Sequence, residues 1–459
     1  MYNEKAVFSI IGKPNNGKST IISALTFDDR IEIADEIGTT KKSTKYLYRY
    51  NEEDVCSYFD TPGFEDAERI WFYIKKQEKT SYSIKQILEN YINEYGNDSS
   101  TIKDREILNA IIKSDFLVFV INISDEFNIN VIGYELEILK ELKKRTVILF
   151  NQIDKNKDYS STWESELKKY DLVNIHKIDP LNSQYSNIIK ILESLYSIDL
   201  EIYDKQQLDN VIRTYKSHYN HNLKKSSELI SEYLRDVLQI EVNTTRKDFD
   251  SVKGSELIQK EINTKEKDIQ KKLSNLWGYY QVKVEDKREN YDHEINKTIS
   301  LSKKERAKIG AAASAVTGAA AVGTTTGFLS GGLGALAGVG IGLVGGALVG
   351  GIGGYFSDWK LHETNLSKKD VKITVSKNDI DLSVILITRV LEFLKTIIRH
   401  GHANRNTVIV DKIEKRNFTK DEIKFITETH KSFVNDKNSN DYIIKLEDLI
   451  LEILRKEVK

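Results

Sequence analysis

The sequence predicts an α/β domain with a mostly parallel sheet over residues 1–200. A mainly α-helical C-terminal half with a Gly/Ala-rich helical hairpin should follow. In the first 200 residues, short apolar runs alternate with amphipathic helical stretches, the pattern of a parallel sheet covered by helices. Beyond residue 200 the chain is densely charged with helical periodicity. Of the 25 glycines, 16 lie between Gly310 and Gly354, so one segment differs in composition from everything around it.

Strands are expected at Ala6–Ile11, Val55–Phe59, Phe116–Ile123 and Thr146–Phe150, with helices after them such as Thr20–Leu25 and Tyr134–Lys144. A long insert covers about 66–105. Residues 201–308 read as a charged helical region, a stalk or a bundle, with no proline and only Gly254 and Gly278 as glycines. Residues 309–356 carry no charged side chain and form the expected hairpin. Residues 357–459 return to helix-like periodicity, as in Leu382–Ile398 and Tyr442–Leu454.

Composition bounds the function. Across 459 residues, 68 Lys+Arg balance 69 Asp+Glu for a net charge of -1, which argues against a nucleic-acid partner. The single cysteine, Cys56, excludes a disulfide framework and any multi-cysteine metal site, and its strand pattern places it in the core. His400 and His402 lack carboxylate or cysteine neighbours and read as surface residues, not metal ligands. The N-terminus, MYNEKAVFSI, has no signal-peptide layout and points to a cytosolic start.

The first chemistry-bearing motif is Gly12-Lys13-Pro14-Asn15-Asn16-Gly17-Lys18-Ser19, which fits GxxxxGK[ST] between an apolar strand and a helix. Its glycines allow backbone N–H groups to turn around phosphates, and the helix N-terminus adds partial positive charge. Asn15, Asn16, Gly17, Lys18, Ser19 and Thr20 are the candidate phosphate contacts. Lys18 reaches the β/γ-phosphates and Ser19 ligates Mg²⁺. Asp60-Thr61-Pro62-Gly63 supplies the second element: Asp60 holds Mg²⁺ through water and the Gly63 N–H senses the γ-phosphate. Between them, Thr40 in Gly38-Thr39-Thr40 closes the Mg²⁺ shell when the γ-phosphate is present. Asn151-Gln152-Ile153-Asp154 follows a strand and fits the base-selecting pattern NKxD, with Gln152 in place of lysine. Asn151 and Asp154 would recognise guanine. Lys177-Ile178-Asp179-Pro180 is a weaker base-side loop signal.

GKPNNGKST, GTT, DTPG and NQID resemble the TrmE–Era–EngA branch of translation-factor-like GTPases over residues 1–200. DTPGFEDAERIWFYI, the insert up to Arg105, SDFLVFVINIS and GYELEILKEL extend the resemblance to a poorly characterised bacterial family of GTPases joined to domain of unknown function 3482. That resemblance implies an α/β P-loop GTPase fold, GTP as substrate, GDP as product and Mg²⁺ as cofactor. It also implies that Asn15 helps to bind a K⁺ ion. An asparagine in a Gly-rich turn equally suits the left-handed backbone region, and both readings stand.

Phe64 occupies the place after Gly63 where other GTPases carry glutamine, and a phenyl ring cannot orient water. Glu65, Asp66 and Glu68 are the nearby candidates for that task, and each is also a helix-start acid. The candidate catalytic set is therefore Asn15, Lys18, Thr40, Gly63 and Glu65. Slow turnover, raised by dimerisation or a partner, is expected.

In the apolar segment, Gly334, Gly338, Gly342, Gly346, Gly350 and Gly354 recur every fourth residue, as do Ala315, Ala319, Gly323, Gly327 and Gly331. Such ladders let two helices pack backbone to backbone, and each arm of about 20 residues nears the length that spans a bilayer. Lysines flank both ends, which places both on the cytosolic side. The expected protein is a nucleotide switch, cytoplasmic and peripheral or hairpin-anchored at the inner face of a membrane, able to form a dimer or oligomer. The alternatives are a dynamin-like membrane-remodelling mechanoenzyme and a soluble Era-like RNA- or ribosome-associated GTPase.

Overall fold

The computed structural model describes residues 5–31, 42–77, 80–197, 201–248, 254–286, 361–366, 369–375, 380–410, 418–435 and 440–457. The expected hairpin at 309–356 and the candidate Thr40 lie outside the described residues. The chain divides into two compact units.

Unit 1 comprises Met1–His221, Trp277–Val282 and Ile398–Asn406. Its sheet is built from β1 (Ala6–Ile11), β2 (Thr44–Tyr50), β3 (Glu53–Asp60), β4 (Phe116–Asn122), β5 (Arg145–Asn151) and β6 (Ile175–Ile178) in the order β2-β3-β1-β4-β5-β6. All neighbours pair in parallel except β2 with β3. Helices pack on the sheet, so β1, β4 and β5 read as continuous apolar runs rather than alternating ones.

The helices of this unit are α1 (Lys18–Thr26), α2 (Ala67–Gln77), α3 (Ile84–Glu94), α4 (Ile102–Lys113), α5 (Ile129–Leu142), α6 (Ser160–Leu167), α7 (Tyr185–Ser194) and the start of α8 (Ile202–Leu238). Helices α2 to α5 bury Ile70, Ile74, Ile87, Leu108, Leu136 and Leu139 in one core with Phe119 and Phe150 of the sheet. Each such side chain contributes on the order of 1.5–3 kcal/mol on burial. Ser83 starts α3 with a reciprocal capping box to Gln86.

The edge strand β2 is absent from the sequence expectation. Among the described residues β2 is the edge of the sheet, and TKYLYRY mixes charged and aromatic residues, so no apolar run marks it. Its hairpin to β3 turns through Asn51 and Glu52, both at positive φ (51° and 66°), without the glycine that usually flags such a turn.

Unit 2 comprises Asn222–Leu276, Lys283–Ile397 and Thr407–Lys459. It holds the rest of α8, then α9 (Gly254–Leu276), α10 (Ile380–Arg399, apart from its last two residues), α11 (Lys420–Asn435) and α12 (Asn440–Glu457). β7 (Glu241–Thr245), β9 (Leu361–Asn365) and β10 (Asp370–Val375) form an antiparallel sheet in the order β7-β10-β9. β8 (Val284–Asp286) and β11 (Val408–Val410) form a two-stranded parallel pair. The mainly helical character holds, but the expectation of helix alone over 201–308 missed β8 and also β7, whose β-branched Val242, Thr244 and Thr245 pair with a strand far away in sequence. A buried ion pair, Arg389 Nε to Glu266 Oε1 at 2.9 Å, ties α10 to α9.

Candidate nucleotide site

The parallel register puts the motif residues at one end of the sheet. Ile10 of β1 lies beside Asp60 of β3, and Asn122 of β4 lies beside Asn151 of β5. The loop after β1, the turn after β3 and the loop after β5 therefore open on the same edge, where α/β sheets bind ligands.

Backbone freedom shapes the first loop. Gly12 has φ 134°, and a β-carbon there would collide with the Val120 carbonyl. Gly17 (φ 86°) caps α1 in the left-handed region. Asn15 adopts the left-handed region too, with φ 64°, and is exposed. That conformation satisfies the turn reading and leaves the K⁺ reading open. The Asn16 side chain is buried and donates from Nδ2 to the Val120 carbonyl at 2.7 Å.

Lys18 is buried and donates from Nζ to the carbonyls of Gly12 (3.0 Å) and Lys13 (2.9 Å). Burial pulls its ammonium down to about 8, opposed by the charges of Asp60 and Glu135. Ser19 Oγ donates to Asp60 Oδ2 at 2.5 Å. Asp60 Oδ1 is buried without a hydrogen-bond partner, and burial raises its carboxyl, opposed by Ser19 and Lys18. Two hard oxygen donors in contact, one carboxylate oxygen unpartnered, fit a Mg²⁺ site.

Gly63 closes against the phosphate loop: a β-carbon there would lie 2.6 Å from Pro14 Cδ and 3.2 Å from the Gly12 carbonyl oxygen. Thr61 Oγ1 donates to the Ile10 carbonyl at 2.7 Å and fixes the same turn. Phe64 packs against the apolar core. Glu65 is exposed and pairs with Lys103 at 3.3 Å. Asp66 accepts from the Arg69 backbone N–H at 2.9 Å, and Glu68 accepts from Tyr134 Oη at 3.0 Å.

At the base-side loop, Asn151 is buried and donates from Nδ2 to the Asn16 carbonyl at 3.0 Å. The Gln152 amide folds over its own loop, donating to the Lys157 carbonyl at 2.9 Å and the Lys155 carbonyl at 3.3 Å. It therefore does not imitate the extended lysine stem of NKxD. The Asp154 N–H donates to Ser124 Oγ at 2.8 Å, and Asp154 Oδ1 accepts from the Asn156 N–H at 3.0 Å. Asp179 receives Lys155 at 3.2 Å, which brings the last loop to the same side.

Some residues at this site escaped sequence reasoning. Glu135 on α5 is buried, its Oε2 has no hydrogen-bond partner, and burial pushes its carboxyl up to about 7 against the pull of Lys13 and Lys18. Its signal was an acid at a core-facing position between Ile132 and Leu136. Asn122 Oδ1 accepts from the Ser124 N–H at 3.1 Å and holds the loop that supports Asp154. Cys56 is buried, as expected, with its thiol pushed up to about 12 by burial. The surface reading of His402 is corrected: it is buried, donates from Nε2 to the Trp277 carbonyl at 2.6 Å, and stacks on Tyr279. His400 is half-buried and bonds the Asn404 carbonyl at 3.0 Å.

A family model described as Domain of unknown function (DUF3482) matches residues 165–442, more than half of the chain. The chain belongs to this family. A second model, described as 50S ribosome-binding GTPase, matches residues 7–152, so the N-terminal part is a P-loop GTPase domain. Similar proteins include the GTPase Der of Buchnera aphidicola, 30% identical over 149 residues (31% of this chain, 32% of the relative). The GTPase Der of Pseudomonas aeruginosa is 27% identical over 182 residues, covering 38% of this chain and 31% of the relative. The chain spans about a third of the length of these relatives. Among solved structures, Aquifex aeolicus Era matches with a TM-score of 0.30 and 15% identity, covering 60% of this chain and 90% of that one.

Proposed function

We propose that this chain is a nucleotide switch. It binds GTP with Mg²⁺, hydrolyses it slowly, and couples its nucleotide state to a membrane through residues 309–356. The observation that carries the nucleotide part is the convergence of Lys18, the Ser19–Asp60 pair, Gly63 and Asn151 at one end of the sheet. Lys18 and the backbone N–H groups of the loop bind the β/γ-phosphates, and Gly63, whose turn lies against that loop, would report the γ-phosphate. Ser19, Asp60 and Thr40 would hold Mg²⁺, which supplies charge neutralisation at the β–γ bridge when bound. Asn151 and Asp154 select guanine.

Slow turnover follows from Phe64, which is packed into apolar surroundings, and from Glu65, Asp66 and Glu68, each engaged elsewhere. None of these three carboxylates stands ready to orient water. Asn15 as a K⁺ ligand would supply the missing positive charge at the transition state.

Among the described residues no helix is long and apolar enough to cross a membrane, so the membrane reading rests on 309–356 alone. Its support is the absence of charge and the two ladders of Gly or Ala at every fourth position, flanked by Lys303, Lys304, Arg306 and Lys308 before and Lys360, Lys368 and Lys369 after. Flotation with anionic liposomes tests it, comparing the intact chain with one lacking 309–356 under GTP, GDP and no nucleotide. Flotation of the intact chain alone is expected. Failure of the intact chain to float in any state contradicts the membrane reading. GTP-dependent polymers on the liposomes would instead favour the membrane-remodelling mechanoenzyme.

A further inference from the structure

Unit 1 is not made of the N-terminal 221 residues alone. Two short segments from the family-defining region, Trp277–Val282 and Ile398–Asn406, belong to it. Both close on the stretch between the end of α1 and residue 31.

The Asp29 side chain is fully buried, and its carboxylate accepts three successive backbone N–H groups. Tyr280 donates to Oδ1 at 3.0 Å; Gln281 and Val282 donate to Oδ2 at 2.7 and 2.9 Å. Arg405 comes from the other segment. Its guanidinium donates to the Ile31 carbonyl at 2.6 Å, the His402 carbonyl at 2.7 Å and Ser23 Oγ at 3.3 Å. Ser23, in the middle of α1, also donates to the His402 carbonyl at 3.2 Å.

Two glycines permit the approach. A side chain at Gly278 (φ 81°) would collide with the Phe27 carbonyl, and one at Gly401 would lie 2.6 Å from the Leu181 backbone. The ring of Tyr280 carries the Arg30 guanidinium at 4.3 Å. A buried carboxylate taking three N–H groups and a guanidinium holding a main-chain carbonyl form charge-assisted bonds, the stronger class. Together they clamp residues 28–31.

The position of the clamp matters. α1 starts at the phosphate loop, and Ile31 is followed directly by the stretch that carries Thr40. The role proposed for Thr40 therefore depends on the chain that leads into its stretch, which is residues 28–31. On the other side, Trp277 follows directly on α9, and residues 398–399 end α10.

We infer that Asp29 and Arg405 are positioning residues of the GTPase, anchoring the base of the Thr40-bearing stretch and making it responsive to the C-terminal half. The inference rests on the proposed role of Thr40, so Thr40→Ala is measured beside the clamp variants.

The full-length protein is compared with Arg405→Ala, Arg405→Lys and Asp29→Asn. GDP affinity is read by calorimetry and GTP cleavage by single-turnover kinetics. Arg405→Ala is expected to lower the cleavage rate about tenfold while GDP affinity changes less than about threefold, with partial recovery in Arg405→Lys. Asp29→Asn is expected to follow Arg405→Ala. A purely structural staple would instead lower thermal stability and leave the cleavage rate of the folded protein unchanged, or weaken GDP and GTP equally; either result overturns the inference. If Thr40→Ala slows cleavage and Arg405→Ala does not, the clamp role alone fails. If Thr40→Ala has no effect, the reading of Thr40 fails, and the inference with it.

Discussion

Asn151 Nδ2 donates a 3.0 Å hydrogen bond to the backbone carbonyl of Asn16, joining the base-side loop to the phosphate loop across 135 residues of sequence. The contact is tight enough that a β-carbon on Gly17 would lie 2.5 Å from the same nitrogen. One asparagine thus holds both halves of the nucleotide site in register, whatever it does for the base.

Asn151→Ala is therefore expected to damage the protein in two separable ways. The Asn16 carbonyl loses its buried donor, which costs roughly 1–3 kcal/mol of stability, measurable by urea unfolding without nucleotide. GTP and GDP affinity should fall by more than this loss of stability can explain, measurable by calorimetry on the folded fraction. Unchanged affinity would show that the side chain braces the loop and does not meet the base.

The sheet and the site were legible to different degrees. β1, β4 and β5 are buried on both faces, so their apolar runs stand out; the phosphate motif follows β1, Asn151 ends β5, and Asp60 ends β3. β2 and β7 were not legible, because neither carries a continuous apolar run: TKYLYRY intersperses charged residues and EVNTT is mostly polar, so the pairing partner supplies the order. The clamp on Asp29 was invisible for another reason. Asp29, Gly278, Gly401, His402 and Arg405 each look ordinary in their local windows, and only contacts across more than 200 residues give them meaning. His402 illustrates the cost of local reading: its lack of ligand neighbours excluded a metal, yet said nothing about burial.

Gly63→Ala should pry the turn proposed to sense the γ-phosphate from the phosphate loop. The added methyl meets Pro14 Cδ at 2.6 Å and the Gly12 carbonyl oxygen at 3.2 Å, both parts of a constrained loop. Hydrolysis should drop by about tenfold or more, while GDP affinity falls less, because GDP lacks the phosphate that the turn is proposed to sense. Single-turnover kinetics and GDP calorimetry on the same preparation separate the two effects.

Acid should unfold unit 1 through its buried histidines. Burial pulls both His218 and His402 down to about 4. Above the ordinary value of 6.5 both are neutral in either state and pH has no effect through them. As pH falls from 6.5 toward 4, the unfolded chain binds protons that the folded chain refuses, so stability declines. Each histidine accounts for roughly 2–3 kcal/mol by pH 4.5. In urea unfolding at pH 7.5 and 4.5, His402→Gln should show a shallower pH dependence than the parent. An identical slope would contradict the assignment.

The Asn15 side chain separates two readings by salt alone. If it helps to hold K⁺, GTP cleavage in KCl should exceed that in NaCl at equal ionic strength, and Asn15→Ala should erase the difference. Equal rates in both salts for both proteins would leave Asn15 as a left-handed turn residue, the role its φ of 64° already satisfies.

Calorimetric titration of the full chain with GTP and with ATP, in Mg²⁺ and again with Mg²⁺ removed, tests the central claim most directly. The arrangement of Lys18, Ser19, Asp60, Asn151 and Asp154 predicts that GTP binds at least about a hundredfold more tightly than ATP, a difference of roughly 2.7 kcal/mol. It also predicts that removing Mg²⁺ weakens GTP binding. ATP binding as tightly as GTP, or GTP binding indifferent to Mg²⁺, would contradict the account.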